Sequence, residues 1–301
     1  RMKKCMSSNV IGIIGLGLLG GSLAKALSLH TSYRVVGYAR RQSVCDKAIA
    51  SGAVAAAYTS VVDVVKEADV LVFALPPDIN GVVFNEVAPL IKEGALVTDV
   101  SSTKHNFVQA VYKYLPSHVR FVSIHPMAGS EKGGFEEAKA TLFEGCTWIV
   151  IHSEDTPGWS DDGAAELRQW GELFGAHIEE ITMAEHDAYM ASISHMPHLV
   201  AGMVATVAGG DADGEQRLRL AAGGFRDITR VAGGNPSMWR EIIMGNAECI
   251  DAALASLEVE ISHVRHLLAE TDSEGMEAYL KRAKKIRDTF ASLLGGYNER
   301  I

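Results

Sequence analysis

Along roughly the first 180 residues the apolar positions gather into short β-branched runs at 10–14, 34–38, 70–74, 95–99, 121–124, 147–151 and 177–181, with stretches of helical period between them. Runs of that length, apolar on both faces and separated by helices, predict a doubly wound, mostly parallel sheet. From Thr182 onward the strand pattern stops, and 183–208, 237–269 and 275–294 read at a period near 3.6. The pattern therefore predicts an α/β domain over 1–181 and an all-helical domain over 182–301. The apolar run 199–210 is too short and too rich in glycine to span a bilayer and reads as a buried helix. The long helical segments carry many Ala, Gly and Met residues, which allow close packing, so part of their surface is expected to be a subunit interface.

One loop adds chemistry to this frame. Gly15-Leu16-Gly17-Leu18-Leu19-Gly20 follows the first strand directly and opens a helix, the context that makes a glycine motif specific for a dinucleotide and the sheet Rossmann-type. Gly15 permits the turn, Gly17 lets a pyrophosphate approach the backbone at Leu18 and Leu19, and Gly20 lets the helix close on the sheet. At the end of the second strand, where a carboxylate would bind the ribose hydroxyls of NAD, the chain has Tyr38-Ala39-Arg40-Arg41-Gln42-Ser43. Arg40 and Arg41, with Ser43 beside them, can bind a 2′-phosphate, so NADP is expected ahead of NAD. The alternative is that both arginines are solvated surface charges. Leu75 and Pro76, at the end of the third run, are candidate contacts on the nicotinamide side.

Composition narrows the field. Of the 301 residues 48% are hydrophobic and 22% charged, as in an ordinary globular protein, and the formal net charge of −9 argues against a nucleic-acid surface. Cys5, Cys45, Cys146 and Cys249 show no CxxC pair or framework spacing and are expected to be reduced. No secretory leader pattern is evident, and a cytoplasmic location is expected.

The most informative chemistry lies at Ile124-His125-Pro126-Met127-Ala128-Gly129-Ser130-Glu131-Lys132-Gly133-Gly134, where an apolar run gives way to a glycine-rich loop. A histidine at a strand end beside a redox cofactor is a candidate acid or base. The competing reading is a loop histidine that satisfies nearby backbone groups. Three further segments supply hydroxyls, imidazoles and guanidiniums: Asp99-Val100-Ser101-Ser102-Thr103-Lys104, Ser194-His195-Met196-Pro197-His198, and Gly223-Gly224-Phe225-Arg226-Asp227-Ile228-Thr229-Arg230 followed by Pro236-Ser237-Met238-Trp239. His195 and His198 lack the HExxH glutamate, and no metal site is expected.

Taken in order, the glycine fingerprint and these four segments resemble the prephenate/arogenate dehydrogenase family of tyrosine biosynthesis over nearly the whole chain. That resemblance implies oxidation of a cyclohexadienol at its ring alcohol, with NAD or NADP as acceptor and loss of the ring carboxylate as CO2. It implies His125 as the base for the ring hydroxyl and Ser102 near the same hydroxyl, although Ser102 also suits an N-cap. It implies Arg230 as the substrate-binding cation with Arg226 nearby, Glu131 and Asp187 as acidic partners of that arginine, and substrate contact by His198 and His195. Trp239 reads as a pocket wall or as core. His186, His263 and His266 read as structural. A homodimer through the helical domain is implied as well. The rival readings are a β-hydroxyacid dehydrogenase-like reductase of the same architecture, which would need a lysine from the helical domain, and a non-catalytic NADP-binding sensor.

Overall fold

The computed structural model describes residues 10–129 and 133–298. Its strands are β1 (Val10–Ile14), β2 (Arg34–Tyr38), β3 (Ala56–Tyr58), β4 (Val70–Phe73), β5 (Leu96–Asp99), β6 (Arg120–Phe121), β7 (Ile124–Pro126), β8 (Thr147–His152) and β9 (His177–Thr182). The first six form one parallel sheet in the order β3-β2-β1-β4-β5-β6. Every residue of β4 and β5 is buried, as expected of central strands in a sheet covered on both faces, including the polar Thr98 and Asp99 that end β5. Register puts Ile14, Tyr38, Phe73 and Asp99 in one row across β1, β2, β4 and β5. The loops after these strands therefore open on one edge, with the reversal of strand order between β1 and β4. That reversal is where open α/β sheets form their ligand crevice.

The helices of this part are α1 (Leu18–His30), α2 (Gln42–Ala50), α3 (Val61–Glu67), α4 (Pro77–Val87), α5 (His105–Tyr114) and α6 (Asp161–Leu173). One face of the sheet packs Phe73, Phe84 of α4, Phe107 of α5 and Phe121 into an aromatic cluster with ring centroids 5.2 to 6.0 Å apart. The other face buries α1, α2 and α6 with Trp148 and Trp170.

The sequence reading is corrected in one respect that matters for the site. The apolar run 121–124 is split: Phe121 ends the parallel sheet, and Ile124 begins a separate three-stranded sheet β7-β8-β9 in which β7 runs antiparallel to β8. His125 is thus the middle residue of a short strand, paired with Ile149, and does not stand in a loop.

A buried ion pair joins the two sheets. Lys104 Nζ donates to Asp99 Oδ2 at 2.9 Å and to the Ile124 carbonyl at 2.6 Å, and both charged side chains have no solvent access. Ser123 Oγ donates to the other carboxylate oxygen of Asp99, and the Ser101 amide donates to Oδ2 at 3.0 Å.

From Met183 on, the described residues form helices and turns. They are α7 (Met183–Met190), a π-turn over Ala191–His195, α8 (Met196–Gly209), α9 (Gly214–Arg219), α10 (Gly223–Thr229) and α11 (Pro236–Gly245), then α12 (Ala247–Ala269) and α13 (Ser273–Asn298). The π-turn has a local cause: Pro197, in the first turn of α8, has no N–H to donate, and its ring crowds the carbonyl four residues earlier. The run read as a buried helix is exposed along much of α8, with Val207 at 80%. By contact density the chain divides into residues 1–246 and 247–301. The second unit is a helical hairpin turned at Thr271, whose φ is +53°, and tied by the Arg282–Glu260 ion pair at 2.9 Å. Among the described residues no helix is long and apolar enough to cross a membrane.

Replacing Lys104 by Met leaves the Asp99 charge buried without its counter-ion. We expect a loss of about 3–5 kcal/mol in urea unfolding, partly restored when Asp99→Asn is added; an unchanged midpoint for Lys104→Met would show that the pair contributes nothing.

Candidate active site

Gly15 adopts φ +112°, and a Cβ on it would lie 2.7 Å from the Ala74 carbonyl oxygen. A Cβ on Gly20 would lie 1.9 Å from the Gly15 carbonyl oxygen, so α1 can approach the turn only with glycine there. Around Gly17 nothing lies within 4 Å of a Cβ position, and no side chain caps the N-terminus of α1. An uncapped helix start facing open space, at the crevice edge, fits a pyrophosphate. Leu18 and Leu19 are half-buried at the start of this helix. Arg40, Arg41 and Ser43 are exposed beyond β2, and neither arginine is within 4 Å of a carboxylate among the described residues. Leu75 and Pro76 follow β4, where Asn80 accepts from the Leu75 amide at 3.0 Å and donates to Ser101 Oγ at 3.0 Å. That residue locks the loops after β4 and β5 together.

Ser102 lies at the same edge, half-buried, and its hydroxyl is bonded to no described group. It does not cap α5. The N-cap of that helix is Lys104, which has no side-chain cap bond, and the orphan amides of Lys104 and His105 donate instead to the carboxylate of Asp187, each at 3.2 Å. A residue 83 positions away in sequence from Lys104 thus does the work of an N-cap.

Asp187 Oδ1 also lies 2.8 Å from His186 Nδ1, and His186 Nε2 lies 2.8 Å from His125 Nδ1. The two imidazoles meet edge to face with centroids 5.0 Å apart. His195, buried at the end of the π-turn, accepts at Nδ1 from the Asn246 side-chain amide at 3.2 Å, and the same amide donates to the Asp187 carbonyl at 2.7 Å. His186 touches His125, and the Asp187 carboxylate is engaged by His186 and the start of α5, with no ion pair to Arg230 among the described residues. No pattern in the sequence distinguishes His186 from other helix histidines, because its partner is 61 residues away. Glu131 lies outside the described residues.

The charges of this cluster follow from burial. Burial, then the Lys104 ammonium, then His186 and His195 hold His125 well below the ordinary histidine value. His186 is lowered by burial against the pull of Asp187, and His195 is lowered by burial to about 4. Burial opposes ionisation of Asp187, but the hydrogen bond from His186 and the charges and amide around Lys104 keep its carboxyl below the usual range. Near neutral pH the set is an ionised carboxylate behind neutral imidazoles.

On the helical side, His198 stacks on Trp239 at 3.6 Å between ring centroids, and His195 meets the same indole edge-on at 6.4 Å. His198 and Trp239 line a largely apolar cleft of about 590 Å³ together with Leu199, Met203 and Ile243. Arg230 is exposed after α10 and makes no ion pair among the described residues, whereas Arg226 pairs with Asp227 at 3.2 Å in full solvent.

Comparison with known proteins bears on this arrangement. The family model for the prephenate dehydrogenase nucleotide-binding domain matches residues 23–178, and that for the prephenate dehydrogenase dimerization domain matches 182–282. The prephenate dehydrogenase of Bacillus subtilis is 36% identical over 289 residues, covering 93% of this chain and 76% of that protein. The Aquifex aeolicus prephenate dehydrogenase, solved with hydroxyphenyl propionate and NAD+, superposes with a TM-score of 0.86 at 29% identity over 95% of this chain and 100% of that one. A Synechocystis arogenate dehydrogenase superposes at 0.83 with 27% identity, over 93% and 99%.

The neutral histidines set an acid limit on stability. His195 stays uncharged in the fold down to about pH 4, while in the unfolded chain it takes up a proton near pH 6.5. Its contribution is complete above pH 6.5 and lost as pH falls toward 4, a loss of about 3 kcal/mol. His125 and His186 act in the same sense. The melting temperature is expected to drop across this interval, and to drop less in His195→Gln; a flat profile would contradict the assignment.

Proposed function

This chain belongs to the prephenate dehydrogenase family, and on that premise we propose that it oxidises prephenate or arogenate at the ring alcohol with NADP as its preferred acceptor. One observation carries the reading: a buried, neutral His125 whose Nδ1 is held from behind, while Nε2 is bonded to no described group. Nε2 takes the proton of the ring hydroxyl. Ser102, with its unengaged hydroxyl, orients that hydroxyl. When bound, the nicotinamide supplies the hydride acceptor. The ring carboxylate leaves as CO2, its bonding pair completes the aromatic ring, and the former carbonyl oxygen takes the proton back from His125 to become the phenol.

Arg230 holds a substrate carboxylate through a charge-assisted, fork-shaped contact, and its lack of an ion pair among the described residues supports this. Arg226 adds a second cation nearby. His195, His198 and Trp239 contact the substrate ring and side chain from the helical domain. Gly15, Gly17, Leu18, Leu19 and Gly20 receive the pyrophosphate, and Leu75 and Pro76 flank the nicotinamide. NADP preference rests on the absent carboxylate after β2 and on Arg40, Arg41 and Ser43 in its place. Functionally, residues 1–181 serve the nucleotide and 182–301 serve substrate and association. A homodimer in the cytoplasm is the working form, supported by the exposed apolar residues of α8 and of the α12–α13 hairpin, among them Val207, Val259 and Ile286.

Replacing His125 by Asn should lower kcat by about 10²–10⁴ with the dissociation constant for NADP unchanged; turnover near that of the parent enzyme would remove the base. Initial rates with each substrate test the reaction itself, and tight NADP binding with no NADPH from prephenate or arogenate would favour a sensor. The cofactor reading predicts a higher kcat/KM with NADP than with NAD. It also predicts that Arg40→Ala combined with Arg41→Ala narrows the gap by about tenfold or more, since two charge-assisted contacts are lost. A kcat/KM with NAD equal to or above that with NADP would overturn it.

A further inference from the structure

We propose that Asp187 and His186 are positioning residues that fix the tautomer of His125 and receive the charge it acquires. The proposal rests on the reading of His125 as base and extends it by Asp187 and His186, whose contacts with each other and with His125 no sequence pattern marks.

Donors and acceptors fix the tautomers of the pair. An ionised carboxylate only accepts, so at 2.8 Å from Asp187 Oδ1 the Nδ1 of His186 must carry a proton. A neutral imidazole has one proton, so His186 Nε2 is bare and can only accept. His125 Nδ1, 2.8 Å from that nitrogen, must therefore be the donor. The single proton of neutral His125 is thereby spent on Nδ1, and Nε2 is left with its lone pair outward. The other tautomer would oppose two lone pairs at 2.8 Å.

Asp187 is held in place by hydrogen bonds from outside the histidine pair. Both of its carboxylate oxygens accept from the first amides of α5, where the helix dipole favours negative charge. Its backbone carbonyl is held by Asn246 at 2.7 Å.

The second imidazole also gives the proton somewhere to go. As the O–H bond of the ring alcohol breaks, its proton binds Nε2 of His125 and its electron pair becomes the carbonyl bond while the hydride departs to the nicotinamide. His125 is then a cation beside the Lys104 ammonium. Shift of its Nδ1 proton to Nε2 of His186 moves the charge away from Lys104 and next to the Asp187 carboxylate, with no net gain or loss of protons. A single histidine backed by a carbonyl could not do this.

Three measurements decide the matter. In Asp187→Asn and in His186→Asn, kcat should fall by about 10²–10⁴ while KM for substrate and the dissociation constant for NADP change less than about threefold, the split expected for loss of a transition-state interaction. Nitrogen-15 spectra of labelled wild-type protein should show His125 and His186 both protonated on Nδ1 and bare on Nε2. Because this needs no variant, it stands even if Asp187→Asn fails to fold. His125 protonated on Nε2, or kcat retained in a folded His186→Asn or Asp187→Asn, would overturn the relay. If His125→Asn is also active, the base itself is wrong; if only His125→Asn is inactive, the base stands and the relay falls.

Discussion

Lys104 is an ammonium group with no access to water, and the site is organised by the need to satisfy it. Its side chain reaches Asp99 at the end of β5 and the carbonyl of Ile124 at the start of β7. Its backbone amide is taken by Asp187 from α7. A single residue thus fastens the parallel sheet, the second sheet and the first helix after Thr182 to one another. Taking such a charge out of water is costly, and neighbours positioned to offset that cost cannot also move freely. His125, next in chain to Ile124, and His186, next to Asp187, inherit that rigidity.

The same burial sets the chemistry. The base proposed here must be unprotonated when substrate arrives, and in this interior the lack of water and the Lys104 ammonium both disfavour a second positive charge. His125 is therefore neutral without a carboxylate beside it. The Asp187 carboxylate meets His125 only at one remove, through His186. The proposed relay borrows the principle of catalytic triads, in which the acid holds the imidazole in its useful tautomer.

The helical part presents a different balance. In α8 only Ala201 is buried, and Leu220 beyond α9 is 82% exposed, so this segment carries more apolar surface than a single chain covers. Exposed apolar area on this scale is characteristic of an association surface. The match of residues 182–282 to a dimerization domain agrees with that character.

Periodicity in the sequence determined the alternation of strands and helices and the all-helical remainder, because burial on two faces imposes apolar runs and burial on one imposes a 3.6 period. The glycine fingerprint was legible too, since a tight turn and a close helix leave a local trace, whereas the ordered motifs pointed to His125 and Ser102 only through the family resemblance they carry. The break between Phe121 and Ile124, the exposure of α8, and the pairing of His186 with His125 and of Asp187 with the start of α5 left none. They depend on which groups meet across 61 to 83 residues of chain, and a hydrogen bond selects its partners by distance and direction in space, which no local pattern of residues encodes.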